Sequence, residues 1–257
     1  SRSIGTSTMV PRISCSWLLL AVAFGMNATP ALGGWQPDGV PVCLHPAYQS
    51  GPQIVSDGNG GAYVHWEDLR NYAITDTDIY LQHLTASGDL APGWPVGGLP
   101  LCTAPGPQFR GGGTLVSDGA GGVLATWYDR RSGNQDDIYV QRMTASGSPA
   151  PGWPMDGVRV TDLPGTESAP FIVSDGAGGA FVAWEDTRAY VYPTNLNDIY
   201  AVHLLGDGSR APGWPENGRP VSTGPLFDAH PQLLVDGAGG VLIAWVRIVL
   251  GIVQQLR

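Results

Sequence analysis

Ser56-Asp57-Gly58-Asn59-Gly60-Gly61 decides the fold, because the same six-residue turn comes back three times. It returns as Ser117-Asp118-Gly119-Ala120-Gly121-Gly122, as Ser174-Asp175-Gly176-Ala177-Gly178-Gly179, and with its Ser replaced as Val235-Asp236-Gly237-Ala238-Gly239-Gly240. The four aspartates stand 61, 57 and 61 residues apart. A second landmark keeps the same period. Pro92-Gly93-Trp94-Pro95 recurs around Trp153 and Trp214, and Gly34-Trp35 is a clipped first copy. Two independent landmarks on one period make the chain a tandem repeat of about sixty residues.

Strands read directly on either side of the turn. A short apolar run precedes it (strand A: Gln53-Ile54-Val55, Thr114-Leu115-Val116, Phe171-Ile172-Val173, Gln232-Leu233-Leu234). Glycines accept the positive φ that tight hairpins require. Strand B then alternates up to a Trp: Ala62 to Trp66, Val123 to Trp127, Ala180 to Trp184, Val241 to Trp245. Strand C opens on Asp-Ile-Tyr at Asp78, Asp137 and Asp198. Strand D, short and flanked by proline as an edge strand should be, ends near Leu101, Val160 and Val221.

Four locally connected antiparallel strands per unit predict an all-β fold, a β-propeller of four-stranded blades. One unit is too small for an immunoglobulin-like sandwich. The expected layout is a lone strand D at 34–44, repeats at about 50–103, 107–162 and 168–223, and a partial repeat at 230–257. These pieces sum to four blades if the N-terminal strand completes the last sheet. The competing reading is a truncated part of a larger propeller.

Composition agrees. The 257 residues include 37 Gly and 22 Pro, with 43% hydrophobic and only 14% charged residues, as expected of short strands and tight turns. The net charge is −9 and there is no basic cluster, which argues against nucleic acid or an anionic membrane as partner. At the N-terminus Met9-Val10-Pro11-Arg12, the apolar run Trp17 to Phe24 and the small residues Ala31-Leu32-Gly33 have the layout of a secretory signal over residues 1–33. The run is too short to span a bilayer, so no membrane insertion is expected after its removal. The expected location is therefore secreted, periplasmic or on the cell surface. Export permits a disulfide between Cys43 and Cys102, but the two occupy equivalent places in successive repeats, which favours two buried thiols.

The units resemble the propeller-type repeats of large secreted bacterial proteins, which combine a Ser-Asp-Gly-x-Gly-Gly turn, a Trp-x-Asp-x-Arg strand end and an Asp-Ile-Tyr strand. The resemblance implies the architecture over residues 34–257 and says little of activity. A sialidase-type Asp-box does not fit, since Ser56 and Asp57 are adjacent and Trp66 is distant.

The candidate ligand-binding residues lie after strand B: Asp68 and Arg70, Asp129 and Arg131, Asp186 and Arg188. One reading is a ring of carboxylates and guanidiniums at one mouth, gripping a polysaccharide or protein as an interaction module. The other is that each Asp and Arg ties down its own loop, as repeat-wide motifs mostly do. The same loop carboxylates are what a propeller-fold glycoside hydrolase or lyase would use, and a purely structural role in a larger surface protein is the third reading. Asp76, Asp78, Asp136, Asp137, Asn195, Asn197 and Asp198 offer oxygens to calcium, but in no EF-hand spacing; Asx turns explain them as well. The Pro-Gly-Trp-Pro tryptophans read either as sugar platforms or as cover for the outer edge of each blade. No nucleophile, phosphate loop or dinucleotide fingerprint is present.

Overall fold

The computed structural model describes residues 38–109, 114–133, 135–191, 196–249 and 252–256. The expected signal segment, Gly34-Trp35 and Asn195 lie outside these residues.

The chain forms successive antiparallel sheets. The first holds β1 (Gln49–Ser56), β2 (Ala62–Asp68), β3 (Asp78–Leu84) and β4 (Leu99–Cys102) in that order, with a one-turn helix α1 (Tyr72–Thr75) in the loop between β2 and β3. The second holds β5 (Gln108–Phe109) and β6 (Leu115–Ser117), both on β7 (Val123–Asp129), then β8 (Asp137–Met143) and β9 (Val158–Arg159). The third is β10 (Glu167–Ser174), β11 (Ala180–Asp186), β12 (Asp198–Leu204) and β13 (Arg219–Ser222). The fourth is β14 (Phe227–Val235), β15 (Val241–Val249) and β16 (Ile252–Leu256). Each sheet is a propeller blade in strand order, and the architecture is an all-β propeller arc.

The recurrent turn works through its aspartate. Asp57 Oδ1 accepts the backbone N–H of Asn59 (2.8 Å) and of Gly61 (2.9 Å), and Asp118, Asp175 and Asp236 repeat both bonds. Its other oxygen anchors strand C: His83 on Asp57 and His203 on Asp175, each at 2.9 Å, with Arg142 on Asp118 in the second blade. The His83 hydrogen bond holds the Asp57 carboxyl below the usual carboxylate range. A side chain at Gly61 would place its Cβ 2.2 Å from the Leu84 carbonyl oxygen, so here close approach and not φ demands glycine.

Blades pack face to face by one rule. A strand A residue lies against the strand B residue of the blade before it: Leu115 with Tyr63, Ile172 with Leu124, Leu233 with Phe181. The Pro-Gly-Trp-Pro tryptophans staple the same boundary. Trp94 Nε1–H donates to Ala145 O (3.0 Å) and Trp153 Nε1–H to Gly206 O (2.9 Å), each in the turn between strands C and D of the next blade. Both indoles are 5% exposed, which makes them blade-to-blade packing and not open sugar platforms.

Closure differs from the four-blade expectation. Among the described residues β16 pairs with β15 alone, and residues 38–44 carry no strand ladder. Val42 and Cys43 are nevertheless buried on the first blade, against Val64, Trp66 and Tyr80. They take the place that Leu101 and Cys102 take on the second blade. Cys43 and Cys102 are buried thiols with no disulfide between them.

Candidate functional site

Strand A starts where strand B ends (Gln49 opposite Asp68, Glu167 opposite Asp186), so the loops between B and C and between D and A share one mouth of the arc. The start of each strand A also docks on the blade before it: Gln108 N–H donates to Thr77 O, Glu167 N–H to Asp136 O and Asp228 N–H to Asn197 O.

At this mouth the six sequence candidates come together as three copies of one cluster. Asp68 accepts the Trp66 indole N–H (2.8 Å), the Arg70 backbone N–H (2.8 Å) and two guanidinium bonds from Arg70 (2.9 and 2.7 Å). The Arg70 plane lies over the Tyr80 ring at 3.7 Å and donates to Gly97 O at 2.7 Å. Arg131 repeats this over Tyr139 with Asp129 and Asp156 O, and Arg188 over Tyr200 with Asp186 and Asn217 O. One cluster thus ties the end of strand B, the start of strand C and the Pro-Gly-Trp-Pro loop. Asp68, Asp129 and Asp186 are at most 1% exposed. Burial works against ionisation of Asp68, but hydrogen bonds from Arg70 and Trp66 outweigh it and hold the carboxyl below its ordinary range. These carboxylates are buried and each is paired with the arginine of its own blade. In the fourth blade the charges trade strands: Arg247 takes the Asp position and pairs with Asp228 on strand A (2.7 Å).

A glycine that the sequence reading passed over completes each cluster. Gly98, Gly157 and Gly218 sit at φ +81°, +84° and +79°, and a Cβ there would stand 2.3 to 2.6 Å from Trp66, Trp127 and Trp184.

The other groups singled out for calcium also have partners. Asp78 accepts from Asn71, Asp137 from Arg159 and Ser132, and Asn197 donates to Glu185. Among the described residues no three Asp, Glu, His or Cys side chains are grouped as a metal site.

A second set of residues stands at the mouth, from the buried Glu185 to the exposed His230. Strand A breaks register just after its start, between Ser50 and Gln53, Ser168 and Phe171, and Ala229 and Gln232. The bulge carries Gly51 at φ 58°, Ala169 at φ 48° and His230 at φ 55°. For Ala and His this left-handed backbone costs about 1–2 kcal/mol each. Each of the three precedes a proline, at positions 52, 170 and 231. Beside the bulge stand Glu67, which accepts from Ser50 Oγ (3.1 Å), and Glu185, which accepts from Asn197 Nδ2 (3.0 Å), from the His230 backbone N–H (2.9 Å) and from Ser168 Oγ (3.4 Å). The His230 ring is 71% exposed and stands 3.7 Å from the Glu185 carboxylate. In the second blade Tyr128 takes the glutamate's position and accepts the Ala169 N–H at 2.7 Å. Around this rim Tyr48 (68% exposed), Tyr72 (60%) and Tyr190 (51%) project from the loops of the same mouth.

Glu167 lies one residue before the bulge and is 1% exposed. Burial, with the charges of Asp186 and Asp137 nearby, pushes its carboxyl up to about 9, so it is neutral at pH 7. The second blade has Gln108, a neutral amide, at the equivalent position.

No protein-family profile matches the chain, and no curated protein matches it. Solved structures similar to it include an endo-arabinase from Bacteroides thetaiotaomicron (16% identity, TM-score 0.40, 76% of this chain and 69% of that one). Others are a thermostable family-43 glycoside hydrolase (14%, TM-score 0.40, 77% and 65%) and an exo-1,5-α-L-arabinanase from a bovine ruminal metagenomic library (15%, TM-score 0.37, 81% and 74%).

Proposed function

We propose that this chain is an exported propeller module that binds a polysaccharide at the mouth formed by its B–C and D–A loops. The observation that carries this reading is the set of three exposed tyrosines, Tyr48, Tyr72 and Tyr190, around a rim of hydrogen-bonding groups. Aromatic rings offer an apolar face to the C–H side of a sugar and keep a polar tip in water. Glu67, Asn197, Ser50 and Ser168 supply the acceptors and donors that fix hydroxyl groups, in the usual mix of apolar walls and few polar groups. Arg70, Arg131 and Arg188 enter this proposal as the groups that hold the loops in place.

The test is affinity electrophoresis and calorimetry against a panel of soluble polysaccharides, arabinan and xylan among them. Tyr72→Ala combined with Tyr190→Ala should weaken binding of the retained glycan at least about tenfold, about 1.4 kcal/mol, with an unchanged melting curve. Retention of no glycan, or binding indifferent to both tyrosines, would sink the proposal.

A second reading is hydrolysis of a glycan. It is favoured by the contact between Glu185 and the exposed His230 ring, a carboxylate and an imidazole of the kind general acid–base chemistry uses. It predicts release of reducing sugar by the wild type and loss of that release, with binding retained, in Glu185→Gln. Binding without any release refutes it.

A further inference from the structure

We propose that Asn59 is a site of spontaneous deamidation, in which the backbone amide of Gly60 closes a succinimide ring on the side chain. The chain has two Asn-Gly pairs, Asn59-Gly60 and Asn217-Gly218, and the fold treats them in opposite ways. Asn59 stands at the tip of the turn between β1 and β2, and both residues of its pair are exposed. The side-chain bonds that hold this turn run from the Asn59 N–H (2.8 Å) and the Gly61 N–H (2.9 Å) to Asp57 Oδ1 and pass over Gly60. The Asn59 carboxamide makes a long contact, from Nδ2 to Asp57 O at 3.5 Å, and that nitrogen is the leaving group. Gly60 has no side chain to shield its own nitrogen. The exposure belongs to the turn itself: Ala120 and Ala177 hold the same position in turns that have a blade before them, and both are exposed.

Asn217 is locked by the blade before it. Its Oδ1 accepts the Asp162 backbone N–H (2.9 Å) and the Thr161 hydroxyl (3.3 Å), and its carbonyl accepts from Arg188 (2.8 Å). The Gly218 N–H, the nitrogen that would attack, donates to Pro215 O (3.1 Å), and Gly218 is buried. At Asn59 the reaction balances with water alone. The Gly60 nitrogen gives up its proton and bonds to Asn59 Cγ, the Cγ–Nδ2 bond breaks, and ammonia leaves with a proton. Water then opens the ring at Cγ to leave aspartate, or at the backbone carbonyl to leave isoaspartate, whose main chain runs through the side-chain carbons. Isoaspartate lengthens the chain between the two amides that share Asp57 Oδ1, in the turn whose aspartate also holds His83 (2.9 Å). The other three turns carry Ala at this position, so of the four only the first carries the reaction.

The experiment is incubation of the full chain in warm, mildly alkaline buffer, folded and in urea, followed by peptide mapping with mass spectrometry and labelling by isoaspartate methyltransferase. In the folded chain the Asn59 peptide should convert, and the Asn217 peptide should lag at least about tenfold, because its hydrogen bonds must open first. In urea the two pairs should convert at similar rates. Asn59→Ala, a residue that the three sister turns already accommodate, should remove most of the isoaspartate formed in the folded chain. Folded protein in which Asn59 converts no faster than Asn217 overturns the proposal. So does an undiminished isoaspartate yield in Asn59→Ala, or the same lag of Asn217 in urea, since the fold would then not be its cause.

Discussion

Replacing Glu167 by Gln should stabilise the protein increasingly as the pH rises. The wild-type carboxyl is 1% exposed and keeps its proton up to about pH 9, whereas in the unfolded chain it loses that proton near its ordinary value of 4.5. A folded-state value above the unfolded one gives stability that is complete below about pH 4.5 and drains away as pH climbs toward 9. The native state then holds one more proton than the unfolded state, so each pH unit inside that window costs up to about 1.4 kcal/mol. Between pH 6 and pH 8 the wild type should therefore lose as much as about 3 kcal/mol through this residue alone. Gln cannot ionise, and Gln108 already occupies the equivalent position with 0% exposure. The assay is urea unfolding followed by tryptophan fluorescence at pH 6, 7 and 8 for wild type and Glu167→Gln. Every other titrating group is common to both proteins, so the difference between the two curves isolates Glu167. The variant should gain on the wild type steadily across the series. Parallel pH profiles, or a variant that loses ground, would show that Glu167 is ionised in the native state and refute the argument.

Asp186→Asn should destabilise by about 3–5 kcal/mol in thermal or urea melts, because Arg188 would keep its buried place without its countercharge; an effect under about 1 kcal/mol would mean the cluster is solvated. Gly218→Ala should cost more than Gly213→Ala, although the two share nearly the same positive φ, +79° and +81°. Only the first puts a Cβ against Trp184, at 2.3 Å, adding about 1–3 kcal/mol of overpacking to the backbone penalty, and equal losses would contradict it.

The blade was legible because its punctuation is chemical. A turn needing an aspartate with two backbone amides, followed by alternating apolar residues, places β3, β8 and β12 on the residues expected for strand C. The Trp-x-Asp-x-Arg motif was legible as a unit, but residue type cannot say whether a carboxylate points to solvent or inward. That depends on Tyr80, Tyr139 and Tyr200, contributed by the neighbouring strand, and on the room that Gly98, Gly157 and Gly218 leave. The rim was harder to see. Strand A is longer than its apolar run, beginning at Gln49 and Glu167 in the first and third blades, and it bends at a bulge where Ala169 and His230 adopt a backbone that their identities disfavour. One signal was available. Pro52, Pro170 and Pro231 each stand five residues before the turn aspartate, marking where the ladder breaks. The pairing of Glu185 with His230 joins residues on adjacent blades, and no local pattern carries it.

The indole bonds from Trp94 and Trp153 to the turn of the following blade make the second boundary a copy of the first. A whole unit inserted between two blades would find a donor waiting on one side and an acceptor on the other, with matching apolar faces at both. Blade number in this architecture can therefore change by duplication or loss of a complete unit with no new interface to invent, whereas an insertion of half a unit would orphan an indole and bare a core face.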